Sequence, residues 1–356
     1  MKKLATHASD EFNVRLGQSL DGIAKDCREA LQDNLSALIL GGGYGRSEGG
    51  VVKETGIEMP YNDFDFTIIV KNPEKIPDGA LKEISEKYEP ILKIDVDFSR
   101  PLTVKDVQNW PHILMWQDLL NGHMVIDGPA DILEKNAPAN LRDPLPVIEA
   151  SKLTLNRGAG LLWAILCEQD IEKLPDKDFI RRNYYKTALA IGDALLIAYS
   201  MHKTPYTGRD VRLIKLAEKE KAVEEIGITS LYTDALEFKF RPDSFNNFTP
   251  ELSDLKALSE LWKNIFLHIE SLRTNHKWSS VSEYSAWSGI REPNQNTINK
   301  WPRNIIQNLR YKKLSLKYPR EDLFRKIPIL LCTQPASTES WINECRMFMK
   351  VWDKFN

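Results

Sequence analysis

Cysteine is scarce and unpatterned in this chain. Cys27, Cys167, Cys332 and Cys345 are scattered over 356 positions with no CxxC spacing. That argues against a thiolate metal knuckle or a disulfide framework and leaves ordinary thiols in a reducing compartment. Long apolar runs are also missing. None approaches the ~18–20 residues needed to span a bilayer, and the best, Ala188 to Tyr199, contains Asp193. The start, Met-Lys-Lys-Leu-Ala-Thr-His, lacks the apolar core of a signal peptide. The expectation is a cytoplasmic protein with no membrane partner. The six histidines form no HxH or HxxxH pair, which argues against a histidine zinc site. Neither charge is in large excess: 48 Lys and Arg stand against 50 Asp and Glu, for a net −2. The chain as a whole is therefore not a polyanion binder, although a local basic patch remains compatible. There is no repeat at a fixed period and no low-complexity tract.

What is present is an ordinary globular composition, 42% hydrophobic and 28% charged, in a chain long enough for two domains and a smaller third piece. From Asp10 to Leu31, apolar residues recur at helical spacing. Ser36 to Leu40 reads as a short buried strand that runs into Gly41-Gly42-Gly43-Tyr44-Gly45-Arg46-Ser47-Glu48. Gly49 to Asn62 reads as a connection broken by Gly49-Gly50, Gly56 and Pro60. Asp63 to Val70 then alternates with period two: Phe64, Phe66 and Ile68 face one way, and Asp63, Asp65 and Thr67 the other. After a short helix over Ala80 to Tyr88, Ile91 to Phe98 alternates again, with Lys93, Asp95 and Asp97 sharing its polar face. Thr103 to Leu120 looks helical with a break at Trp110-Pro111, and His123 to Ile126 forms a last short strand. Beyond about Val147 the alternation stops. Helical patterns follow over Ile148–Glu168, Phe179–Met201, Val211–Glu225, Ser230–Phe238 and Leu252–Arg273. The expected architecture is α+β: a small mixed sheet with flanking helices over 1–138, an all-α bundle over 147–275, and a helix-and-loop extension over 276–356 packed on the bundle.

The glycine turn lets backbone N–H groups approach an anion without side-chain obstruction. It is not a Walker A loop, because no Lys-Ser or Lys-Thr follows at the required spacing. It also fits the dinucleotide fingerprint poorly, since no clear helix follows it. The carboxylates supply the complementary half. Asp63 and Asp65, two apart on a strand, lie on one face and suit divalent ions, and an acid on the neighbouring strand completes a two-metal site. Such a site stabilises the entering and leaving oxygens of an in-line phosphoryl displacement.

A strand, a Gly-Gly turn, Asp63-Phe64-Asp65, and a later acid between apolar residues together resemble the polymerase-beta-like nucleotidyltransferase superfamily. The turn wording is most similar to the bacterial PII-uridylyltransferase group, and the likeness covers roughly residues 30 to 135. The resemblance implies a nucleotidyltransferase-type sheet, phosphate contact at Gly42 and Gly43, and two Mg2+ ions (Mn2+ as the alternative) ligated by Asp63 and Asp65. The third acid is Asp97, which is preferred because Phe98-Ser99 and a helix follow it, or Asp95. Tyr44 and Arg46 in the turn join the expected nucleotide contacts. So does Lys186, because superfamily members commonly place a helical-domain lysine over the triphosphate. The chain departs from the pattern in a longer linker between the turn and Asp63, and it carries no HD-type metal motif.

The expected activity is transfer of a nucleoside monophosphate from an NTP, ATP included, to a hydroxyl of a small-molecule or protein acceptor, with release of pyrophosphate. A nucleotide-binding regulatory pseudoenzyme or toxin–antitoxin-type module is the alternative reading, and an RNA-tailing enzyme the third. The third draws on Lys300 to Lys326, where nine Lys or Arg stand against Glu321 and Asp322. RNA-reading aromatics are not regularly interleaved there, so nucleic acid is the lesser partner.

Overall fold

The amphipathic pattern near the N-terminus folds as α1 (Asp10–Leu31). Ser9 caps it by accepting the Phe12 N–H, Asp10 and Glu11 occupy its positive end, and Arg28 its negative end. In this computed structural model, which describes residues 3–332 and 338–355, α1 covers one face of a small sheet. Residues 1, 2, 333–337 and 356, which fall in the expected first and last domains, lie outside the described residues.

The elements that follow are β1 (Leu35–Leu40), α2 (Gly42–Gly45), β2 (Val51–Glu54), β3 (Ile57–Pro60), β4 (Phe64–Val70), α3 (Ala80–Leu92), β5 (Val96–Phe98), α4 (Val104–Gln108), α5 (Leu114–Asn121), β6 (Met124–Asp127) and α6 (Ile132–Asn136). The main sheet has the order β5-β4-β1-β6. β4 pairs antiparallel with β1 and parallel with β5, and β1 pairs antiparallel with β6. The parallel step is made by α3, since two parallel strands need a crossover rather than a tight turn. The two central strands carry the core. Leu38, Leu40, Phe64, Phe66 and Ile68 pack toward α1 and α3. On the opposite face, Ala37, Ile39 and Ile69 pack under Val107, Trp110, Leu120, Leu133 and Leu141.

Three expectations change. The supposed connection from Gly49 to Asn62 contains a hairpin, β2 with β3, in the register Val51↔Pro60 to Glu54↔Ile57. Its two turn residues, Thr55 and Gly56, both have positive φ, the conformation that a two-residue hairpin loop requires. Glycines and a proline, read as breakers, are its punctuation. The second alternating strand is much shorter than Ile91–Phe98. Ile91 and Leu92 finish α3, Lys93 closes that helix in the left-handed conformation, and only Val96–Phe98 pairs with β4. Leu92 and Val96 are both buried against one core, so a helix end and a strand start mimic period two. The glycine stretch, read as a plain turn, itself winds one helical turn, α2 (Gly42–Gly45), and the next element is β2.

The second part of the described chain holds no strand. Its helices are α7 (Val147–Glu168), α8 (Phe179–Ala198), α9 (Arg209–Lys219), α10 (Lys221–Ile226), α11 (Thr229–Phe240), α12 (Leu252–Thr274), α13 (Val281–Ala286), α14 (Trp301–Leu309), α15 (Arg320–Cys332) and α16 (Glu339–Phe355). The Val211–Glu225 helix is thus two helices. The buried Glu270 on α12 fixes the bundle interior by accepting from Ser151, Arg273 and Tyr284, and Trp262 donates to the Thr154 carbonyl. Among the described residues no helix is long and apolar enough to cross a membrane.

Two compact units result: Met1–Leu145 with His202–Arg209 and Leu236–Asn247, and Pro146–Met201 with Asp210–Ala235 and Phe248–Asn356. The stretch over 276–356 lies in the same compact unit as the bundle helices, where α15 packs on α7 and α12. Two short segments expected in the bundle, 202–209 and 236–247, belong to the sheet unit.

Candidate active site

The register of β4 against β5 places Asp65 opposite Asp97, with Phe64 opposite Val96 and Phe66 opposite Phe98. Neighbours paired in a parallel sheet put their side chains on one face, and so do residues two apart on a strand. Asp65 and Asp97 therefore share a face, with Phe64 and Phe66 buried behind it. Asp63 directly precedes β4, close enough for its charge to act on both carboxylates. Asp95 directly precedes β5, as Asp63 precedes β4; its carbonyl accepts the Phe64 N–H, and its charge also acts on Asp97.

The glycine turn stands against this face. Gly41 N–H donates to the Asp65 carbonyl at 2.8 Å, which fixes the turn to β4. Gly42 has φ +60°, and a Cβ there would fall 2.1 Å from Asp65 Oδ2. Glycine is thus required twice at this position, once by backbone conformation and once by the carboxylate beside it. Asp65 reaches solvent but sits in this crowded recess, and its carboxyl is pushed up to about 6. Partial loss of hydration comes first among the causes, then the charges of Asp63 and Asp97, with Arg46 and Lys239 opposing. Asp97 is also raised, by partial burial and by Asp63, Asp95 and Glu89. Lost hydration, reinforced by like charges held close, gives both shifts their direction.

Arg46 leaves the end of α2 with its side chain only 10% exposed, 3.7 Å from Glu48. Its buried Nε makes no hydrogen bond. Its guanidinium lies 5.2 Å from the Tyr206 ring centroid, and Arg209 and Lys239 lie over the same ring at 3.9 and 4.4 Å. The loop carrying Tyr206 is held by Glu48, which accepts from the Tyr206 and Thr207 N–H groups and from the Thr207 hydroxyl, each within 2.9 Å. Arg209 donates to the carbonyls of Lys203, Thr204 and Pro205, closing the loop on itself. Beside Arg46, a polar cavity of about 300 Å³ is lined by Gly45, Ser47, Asn121, Gly122, His123 and Glu134.

Among the residues expected at a nucleotide site, Asp63, Asp65, Asp97, Gly42, Gly43 and Arg46 come together in the sheet unit. Tyr44 corrects the expectation. Its side chain is fully buried, edge-on to Phe64, and its hydroxyl donates to the Gly50 carbonyl and accepts the Tyr61 N–H. Burial raises its pKa further. It is a core residue that braces the loop after the turn. Lys186 is exposed on α8 in the helical unit. Tyr206 and Lys239 were missed as site neighbours. Nothing local in the sequence marks them, since they lie more than 150 residues beyond the turn.

Asp65, Asp97 and the nearby Asp63 offer the hard oxygen donors that Mg2+ takes, and the raised Asp65 marks negative charge left for a cation to balance. The donor set therefore fits a divalent ion in kind. Among the described residues, however, no three His, Cys, Asp or Glu side chains are drawn into a ready-made metal cluster.

No protein-family model matches the chain, and no curated protein matches it. A solved structure of spectinomycin adenyltransferase AAD(9) from Enterococcus faecialis, with ATP and spectinomycin, is similar at a TM-score of 0.41 and 14% identity, over 70% of this chain and 98% of that one.

Proposed function

We propose that the chain moves a nucleoside monophosphate from an NTP to a hydroxyl of a small-molecule or protein acceptor and releases pyrophosphate. The observation that carries this reading is Asp65 paired opposite Asp97, with Asp63 close to both, against a turn where only glycine leaves room for Asp65. Structural aspartates at a solvated strand edge need no such recess.

Asp63 and Asp65, with Asp97 (or Asp95) as third ligand, would hold one or two Mg2+ or Mn2+ ions, which supply charge neutralisation at the reacting phosphate and acidify the attacking hydroxyl. The Gly42–Gly43 backbone admits the triphosphate close to the sheet. Arg46 offers guanidinium donors to its outer phosphates, and Lys239 adds a second cation from the same unit. Lys186 remains the candidate lysine of the helical unit. Asp97 orients the acceptor hydroxyl and takes its proton. The hydroxyl oxygen bonds to the α-phosphorus as the bond to the bridging oxygen of pyrophosphate breaks.

NTPs labelled on the α- or γ-phosphate test this, offered with Mg2+ and a panel of polyhydroxylated small molecules and proteins. The α-label moves to an acceptor and the γ-label leaves as pyrophosphate, and both events disappear in Asp63→Ala/Asp65→Ala. NTP binding without turnover on any acceptor overturns the reading in favour of a regulatory nucleotide-binding module.

A further inference from the structure

The segment 298–317 is folded inside out. On α14, Asn304 and Asn308 point inward and are buried, while Ile306 and Leu309 point outward. The asparagines are fully engaged. Asn304 Nδ2 donates to the carbonyls of Gln295 and Leu316, and Asn308 Nδ2 to those of Asn304, Ser315 and Lys317, all at 2.7–3.2 Å. These bonds lock the rotation of the helix and the course of the loop after it, so the apolar arc is held outward. At 100° per residue, Trp301, Ile305, Leu309 and Ile306 fall within one 140° sector of α14. Ile298 before the helix and Leu314 after it are also exposed, at 74% and 88%.

The same segment contains Lys300, Arg303, Arg310, Lys312, Lys313 and Lys317 and no Asp or Glu. Lys313 pairs with Asp322, and Lys300 and Lys317 each donate to a backbone carbonyl. Arg310 and Lys312 are exposed at the end of the helix.

We propose that this face docks on an anionic lipid surface, as a peripheral element that enters one leaflet without spanning it. Aliphatic side chains that stand out singly, a tryptophan at the margin and flanking cations are the chemistry of an interfacial segment. A second copy of the chain is disfavoured, because a self-complementary contact would set six cations against six. Single-stranded nucleic acid would satisfy the cations but not the aliphatic side chains, since it is held by aromatic stacking. The proposal is independent of the nucleotide chemistry.

The test is co-sedimentation of the full chain with vesicles of neutral phosphatidylcholine, or of the same lipid with about one third phosphatidylserine. Binding is expected to the mixed vesicles, at least about tenfold tighter than to neutral ones, and to fall with added salt. Arg310→Gln/Lys312→Gln weakens it about 30-fold. Leu309→Ser/Leu314→Ser weakens it about tenfold or more with the helical circular dichroism unchanged. Any of three results overturns the proposal: no binding, equal binding to both vesicles, or leucine substitutions that split an oligomer instead of releasing lipid. RNA binding that anionic vesicles do not displace also overturns it.

Discussion

Gly42 and Asp65 form a matched pair, and each makes a test at the scale of one side chain. Gly42→Ala places a methyl on the Asp65 carboxylate and strains a backbone at positive φ. Stability falls by about 2 kcal/mol in thermal or urea unfolding. Turnover falls about 100-fold, because an ångström of displacement in a reacting group is enough for that loss. Asp65→Asn has opposite effects on stability and activity. A carboxyl raised in the folded state is penalised while ionised, so removing its charge in metal-free buffer at neutral pH raises stability. Solvent access reduces the effect to about 1 kcal/mol, and turnover is lost. A D65N chain that melts lower than wild type in chelator would contradict the account of Asp65 as a carboxylate held at a cost by lost hydration and like charge. Tyr44→Phe separates core from site: it removes the hydrogen bonds to Gly50 and Tyr61 and about 1–2 kcal/mol of stability, while nucleotide affinity measured by calorimetry stays unchanged.

At the scale of elements, two carboxylates hold distant segments onto the sheet unit. Glu48 binds the 204–207 loop through three hydrogen bonds in a buried setting, and Glu48→Ala leaves two backbone N–H groups without their acceptor. A loss of about 2–3 kcal/mol is expected in urea unfolding. Glu58 on β3 links Ser9 and Arg241. Burial pushes its carboxyl up, but the hydrogen bonds from Ser9 and the Arg241 charge outweigh this and leave it below the ordinary value. A depressed carboxyl stabilises the fold above its unfolded pKa and stops doing so as pH falls through the folded one. The stability gap between wild type and Glu58→Gln, about 1 kcal/mol at pH 7, therefore closes below about pH 4.

These links also explain what was legible in the sequence. Asp63 and Asp65 could be placed together because Phe64, Phe66 and Ile68 alternate with Asp63, Asp65 and Thr67 in the sequence, although in the folded strand only Asp65 is open to solvent. The glycine turn was visible as composition, and the long bundle helices α7, α8 and α12 as periodicity. The hairpin at Gly49 to Asn62 was hidden because its turn chemistry resembles a loop. β5 was overextended because Leu92 and Val96 serve one core from two kinds of backbone. Tyr206 and Lys239 were invisible because chain return, rather than local pattern, brings them to Arg46. Tyr44 misled because a motif position does not reveal which way its ring turns.

For the whole molecule, the sheet unit assembles the carboxylates, the glycine turn and two cations from four separate stretches of chain. The helical unit carries Lys186 on α8 and the outward apolar face of α14. The measurement that tests the central claim most directly is pyrophosphate release from each NTP across the acceptor panel, with and without Mg2+, comparing wild type with Asp65→Asn. The account predicts release that needs both the ion and Asp65, with the asparagine variant at least about 10³-fold slower yet folded. Release that persists undiminished in the variant, or tight NTP binding with no release from wild type on any acceptor, would contradict it.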